Sequence, residues 1–156
     1  MITNAMRLLR AANVPFDTRE YEVDESDLSG LHIAKALDIS PDCMFKTLVA
    51  RGAGGGIYVF CIPCAEELDL KKCASLVGEK KMEMVHVKEL LALTGYIRGG
   101  CSPVGMKKKY PTYMDETATL FSPIYVSAGV RGAQLVIDPY ALAEFAEITF
   151  ADLIKY

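Results

Sequence analysis

The chain has 156 residues, 51% of them apolar and 24% charged, which suffices for a core of its own and sets a single domain, residues 1–156, as the default. A formal net charge of −3 excludes a protein that coats nucleic acid, DNA above all, through a general positive surface, so any RNA contact must be local. The apolar runs are too short for a membrane span, and the first ten residues carry two arginines where a secretory leader needs an apolar stretch.

Five cysteines, Cys43, Cys61, Cys64, Cys73 and Cys101, make an odd count with no sign of export, so reduced thiols in the cytoplasm are expected rather than a disulfide framework. Lys107-Lys108-Lys109 is the one dense positive run, with Lys71-Lys72 and Lys80-Lys81 as pairs that could join it in space or could simply face solvent.

In chain order, Ile2, Met6, Leu9 and Val14 follow a helical stripe that Thr3 or Asn4 can cap and Pro15 stops. Residues 16–23 alternate partly like a strand, and residues 29–37 give a second helix with Leu31, Ala34 and Leu37 on one side. Residues 45–51 and 57–62 read as a central hairpin joined through the glycine-rich stretch 52–56. Asp69 caps a helix ending at Val77 with Gly78 as its left-handed stop, and residues 87–94 repeat the design with Gly95. After an irregular glycine and proline segment, residues 95–111, strands are expected at 112–116, 124–128 and 133–137, then a last helix over 140–147. Hairpin-connected strands with interspersed helices favour an α+β domain over a doubly wound sheet.

Lys46 is the most informative charge, because its neighbours Phe45, Leu48 and Val49 suit a buried strand. Either its stem packs while the ammonium snorkels to water, or it faces a cleft and attracts a phosphate or carbonyl oxygen. The stretch from Gly99 to Gly105 places glycines where a backbone can approach a ligand and leave amides free for an oxyanion or phosphate, although plain turns use the same residues. Residues 127–132 have the same ambiguity and suit a tight hairpin bend. Cys61-Ile62-Pro63-Cys64 has zinc or redox spacing, but no second pair follows at a ribbon interval and Pro63 suggests a strand end, so no metal or cofactor is expected. His32 and His86 have no serine and carboxylate at a recognisable spacing and read as structural.

Four fragments in register, 45–49 (FKTLV), 68–72 (LDLKK), 95–108 (GYIRGGCSPVGMKK) and 127–132 (SAGVRG), resemble the YbaK/EbsC family over nearly the whole chain. The resemblance implies a mixed sheet, partly closed like a barrel, with flanking helices, similar to the editing domain inserted in bacterial prolyl-tRNA synthetases. It implies a deacylase acting on the acceptor end of mischarged aminoacyl-tRNA, most typically Cys-tRNA(Pro), with help from prolyl-tRNA synthetase. Lys46 matches the family's essential lysine, and Gly99 and Gly100 open its G-x-x-x-P loop, with amides placed beside the aminoacyl carbonyl. Tyr21, Cys101, Ser102, Pro103, Ser127, Gly129, Arg131 and Gln134 fall where the family binds substrate, Gln134 where an acidic residue is usual. In the implied chemistry the substrate's own thiol attacks the ester. Cys101 offers the alternative of an enzyme thiol, and a binding module without turnover is the alternative of another class.

Overall fold

A computed structural model describes residues 1–156. Helix α1 (Asn4–Ala11) starts where the Thr3 hydroxyl accepts from the Met6 amide, and it buries Ala5, Met6 and Leu9. Ile2 remains 62% exposed, so the core stripe runs through Ala5 instead of Ile2. Val14 lies beyond the helix: Asn13 turns to a left-handed φ of 57°, and the Val14 amide returns to the Leu9 carbonyl at 2.9 Å, which satisfies the helix end and folds Val14 back onto the core. Helix α2 (Gly30–Ala36), capped by Ser29, buries Ile33 and Ala34, with Leu37 just past its end. Leu31 is 53% exposed, because the buried face is centred one position away from the expected stripe.

The strands form two sheets. The smaller is antiparallel, in the order β1 (Asp17–Glu20), β7 (Ala133–Ile137), β6 (Ile124–Ser127). The larger is mixed, in the order β4 (Met82–Met84), β2 (Phe45–Gly52), β3 (Ile57–Pro63), β5 (Thr112–Asp115), β8 (Ile148–Ala151). The β2–β3 hairpin is central, as its composition requires, and β3 is buried along most of its length because both of its faces are covered. Strands β5 and β8 join in parallel, and neither β4 nor β8 was expected: three or four residues carry too little alternation to declare a strand, and tertiary pairing supplies the order. A single parallel bridge between Met44 and Tyr125 connects the sheets, which do not close into a barrel.

The principal core lies among the two sheets, α1 and α5 (Pro139–Ala146), and includes Leu9, Met114, Ile124, Leu135 and Leu142. A second core, around Phe60, Ile62 and Leu153, packs beneath α3 (Leu70–Val77). Helix α4 (Val87–Thr94) leads into the segment 95–111, which crosses the outside of β2 and β3 through Tyr96, Cys101 and Met106. No helix is long and apolar enough to cross a membrane.

One buried side chain fixes the carboxyl-terminal segment. The Asp115 side chain accepts from the Leu153 amide at 2.9 Å and from the Thr117 hydroxyl and amide at 2.7 and 3.2 Å. Replacing it with alanine leaves a buried N–H without a partner, so Asp115→Ala should lose about 3 kcal/mol of stability in urea unfolding. Turnover per folded molecule should be unchanged, since the residue lies away from the cavity described next.

Candidate active site

A cavity of about 390 Å³ opens where the start of β2, the end of β6, the start of β7, the head of α2 and the segment from β4 to Cys101 converge. Strand β2 supplies Lys46 and Thr47, hydrogen-bonded through its backbone to β3, where Lys46 pairs with Ile62. Lys46 is half-buried and lines the cavity, and its ammonium makes no ion pair or hydrogen bond within the chain. An ammonium in that position retains all three donors for a ligand.

Gln134 faces the same cavity from β7. It is 3% exposed, and its Oε1 is a buried polar side-chain atom without any hydrogen-bond partner. A buried carbonyl in that state costs free energy, which suggests a ligand donor as its partner. Ser127, opposite Gln134 in the β6–β7 ladder, is also buried and lines the cavity, its hydroxyl accepting from the Gly129 amide at 3.1 Å.

The glycine loop contributes differently from its expected form. Gly99, at a left-handed φ of 87°, and Cys101 both line the cavity, and neither amide is hydrogen-bonded within the chain. The Gly100 amide, by contrast, donates to the Ile97 carbonyl at 3.0 Å, so it is not free to hold an oxyanion. What Gly100 provides is close approach: a Cβ there would stand 3.1 Å from the Val130 carbonyl carbon and 3.2 Å from the Arg131 nitrogen. The free donors are therefore those of Gly99 and Cys101.

Other residues expected at the substrate support the site from outside it. Ser102 is fully buried and accepts from the Val104 amide at 3.2 Å, closing a turn. Pro103 lines a separate cavity of about 210 Å³ against Leu8 and Phe145. Arg131 donates from Nε to the Arg98 carbonyl at 2.8 Å, tying the loop to the β6–β7 bend. Gly129 sits where a side chain would strike Tyr96, and Tyr21 packs with Met44 and Cys64 in the small α2 core behind the cavity. None of these five, counting Tyr21, lines the cavity itself.

Several lining residues escaped sequence reading. Arg98 lies inside the 95–108 fragment and could have been singled out as the charge beside its first glycine pair, whereas Leu28, Met84 and Val87 carry no local signal and reach the cavity only through the packing of α2, β4 and α4. Cys64 also lines it, and burial pushes its thiol up to about 11 despite the opposing pull of Lys46. Cys61, the other half of the C-x-x-C spacing, packs in the principal core with its sulfur 3.7 Å from the Thr47 hydroxyl, so the two thiols serve different cores. Desolvation likewise pushes Cys101 up to about 12.

A mixed α+β domain thus lines one cleft with an unpaired ammonium, two residues whose amides are unbonded and a buried unpartnered carbonyl, a set that offers a polar ligand both donors and an acceptor. The chain belongs to the aminoacyl-tRNA editing domain family, whose pattern matches residues 31–145. It is 49% identical over 152 residues, 94% of this chain and 93% of the relative, to an Enterococcus faecalis (strain ATCC 700802 / V583) protein described as a candidate Cys-tRNA(Pro)/Cys-tRNA(Cys) deacylase, EbsC. Among solved structures, one described as a candidate trans-editing enzyme for prolyl-tRNA synthetase superposes with a TM-score of 0.82 at 24% identity, covering all of both chains. A second, the hypothetical protein APE2540, gives 0.87 at 23% identity over 96% of this chain and 97% of its own. At these identities the two structures establish the fold.

Because the Gln134 carbonyl has no donor within the chain, Gln134→Leu, similar in volume and without polar atoms, should hold or raise stability by about 1 kcal/mol in urea unfolding while lowering kcat/KM for the substrate. Loss of stability together with unchanged kinetics would show that the side chain serves the fold and not the ligand.

Proposed function

We propose that this chain is a free-standing editing enzyme of the cytoplasm that releases cysteine esterified in error to tRNA, tRNA(Pro) foremost, with prolyl-tRNA synthetase supplying much of the tRNA selection. Family membership and the name of the E. faecalis relative support the reaction class. The net charge of −3 supports the need for a helper, since the chain lacks a broad positive surface for RNA.

The observation that carries the mechanism is the state of the chain's own thiols. Cys64 and Cys101 line the cavity, and burial holds them protonated, near 11 and 12. At pH 7 thiols raised so far carry far less thiolate than an ordinary cysteine, which near 8.5 offers a few per cent. The competent nucleophile therefore arrives on the substrate.

Its sulfur attacks its own ester carbonyl: the carbon–sulfur bond forms, the carbon–oxygen bond to the ribose breaks, and the ribose oxygen takes up the proton that the thiol gives up. A thiolactone leaves, which water opens to cysteine. The Gly99 and Cys101 amides hold the oxygen on which charge develops, an interaction made chiefly in the transition state and worth about 3 kcal/mol per donor in comparable sites. Lys46 fixes the terminal ribose or its phosphate, and Gln134 Oε1 accepts from the substrate's α-ammonium. The binding energy thus goes into holding the thiol against its own carbonyl.

Two substitutions test the scheme with Cys-tRNA(Pro) and Ser-tRNA(Pro) as paired substrates. Lys46→Ala should abolish deacylation and keep the folded circular dichroism spectrum, while Cys101→Ala should retain most Cys-tRNA(Pro) activity; trapping of an acyl group on Cys101 would overturn the mechanism. The serine ester should react far more slowly with the unmodified enzyme, because a hydroxyl needs a general base that the cavity does not offer.

The pH profile gives an independent check. If the substrate thiolate attacks, kcat/KM should climb about tenfold per pH unit from pH 6 and level off near the ordinary cysteine range, about 8.5. A climb that continues unbroken toward pH 11 would point instead to Cys64 or Cys101.

A further inference from the structure

Two segments of opposite charge run into the residues that line the cavity. One is the segment leading into α2: residues 20–30 contain Glu20, Glu22, Asp24, Glu25 and Asp27 and no lysine or arginine, and all five acids are exposed. Ser26 donates to Asp24 and Ser29 to Asp27, which holds both carboxyls below their ordinary range. This wall ends in Leu28, Ser29 and Gly30, which line the cavity.

The other wall is formed by β4, α4 and the loop after them. Between Glu89 and Asp115 the sequence has no acid but carries Arg98, Lys107, Lys108 and Lys109. Arg98 lines the cavity, and its guanidinium has no carboxylate partner. Lys107 is held against the end of α4, its amide donating to the Thr94 carbonyl at 2.9 Å. Lys107 and Lys108 are exposed and free of ion pairs, whereas Lys109 is spent on the Ala146 carbonyl and Glu147. The two acids on this wall, Glu83 and Glu89, are matched by Lys81 and Arg51.

An apolar rim runs along the same positive wall. Met84 and Val87 line the cavity yet are 41% and 62% exposed, and Leu91, one helical turn beyond Val87, is 55% exposed. Apolar side chains left in water beside unpaired cations suit a ligand that alternates flat apolar faces with negative charges, as a single-stranded polynucleotide does. A protein partner could use the apolar rim, but the charge asymmetry of the walls favours a polyanion.

We infer that the acceptor strand leaves the cavity over this wall, its terminal base resting on Met84 and Val87 and its next phosphates against Arg98, Lys107 and Lys108, while the acidic wall keeps the strand off α2. The inference rests on the editing reading, because it presumes that the aminoacyl ester occupies the cavity.

The test compares Cys-tRNA(Pro) with cysteine esterified to adenosine alone, which keeps the base and has no phosphate. Lys107→Glu/Lys108→Glu should lower kcat/KM on the tRNA at least ~10-fold between roughly 50 and 200 mM salt and flatten the log–log salt slope by about 1.5, two contacts' worth. The same variant should leave the adenosine ester unaffected, and Val87→Asp should impair both esters. Glu22→Gln/Glu25→Gln on the other wall should leave the slope where it was. An unchanged slope in the lysine variant, an equal change from the acidic wall, or variants that lose only stimulation by prolyl-tRNA synthetase would each overturn the proposed path. Unmodified enzyme that releases cysteine from neither ester would instead sink the editing reading, and the path with it.

Discussion

The cavity depends on how closely one loop can lie against one hairpin. Residues 95–105 have no regular hydrogen-bond ladder, and they hold position because the Gly100 backbone lies in contact with the backbone of Val130 and Arg131. Arg131 then reaches back to the Arg98 carbonyl, and Tyr96 and Ser102 each bond to Val104 within the loop. With the loop pinned, Arg98, Gly99 and Cys101 line the same cavity as Lys46 and Gln134, which come from different sheets. A side chain at position 100 would separate loop from hairpin and spread the donors. The absence of Cβ there thus bears on chemistry through packing, although the residue itself donates nothing to the site.

The contents of the cavity are uncompensated in both signs. Lys46 keeps an ammonium without a carboxylate, and Gln134 keeps a carbonyl without a donor. Either could have been satisfied internally, and the fold forgoes that stabilisation at the place where a ligand would supply it. The apolar lining, Ile33, Phe45, Val49 and Leu90 among it, strengthens the field of the few polar groups that remain. The same desolvation that sharpens the site raises the pKa of Cys64 and Cys101, which disfavours either thiol as a nucleophile at neutral pH.

The joining of the two sheets explains how these groups meet. Lys46 follows directly on Phe45 and Met44, and Met44 forms the bridge to Tyr125 at the start of the strand that ends in Ser127. The lysine is thereby brought toward Ser127 and Gln134 without any contact between neighbours in sequence. Core residues on both sides, Phe45 and Val126 in the principal cluster, hold that junction by burial.

By itself the sequence determined the central hairpin, the helices with their Asp69 and Gly78 caps, the α+β class and the family, because these rest on local periodicity, capping chemistry and fragments with their order and spacing. It also marked Lys46, whose charge contradicts its apolar neighbours. Tertiary structure decided the rest: β4 and β8, too short to announce themselves; the shift of the buried faces of α1 and α2; and the division of the glycine loop into donors at Gly99 and Cys101 and a packing contact at Gly100. Whether an amide is free, a carbonyl unpartnered or an apolar side chain exposed beside a cavity depends on what arrives from distant parts of the chain, and residue type at a position cannot encode that alone.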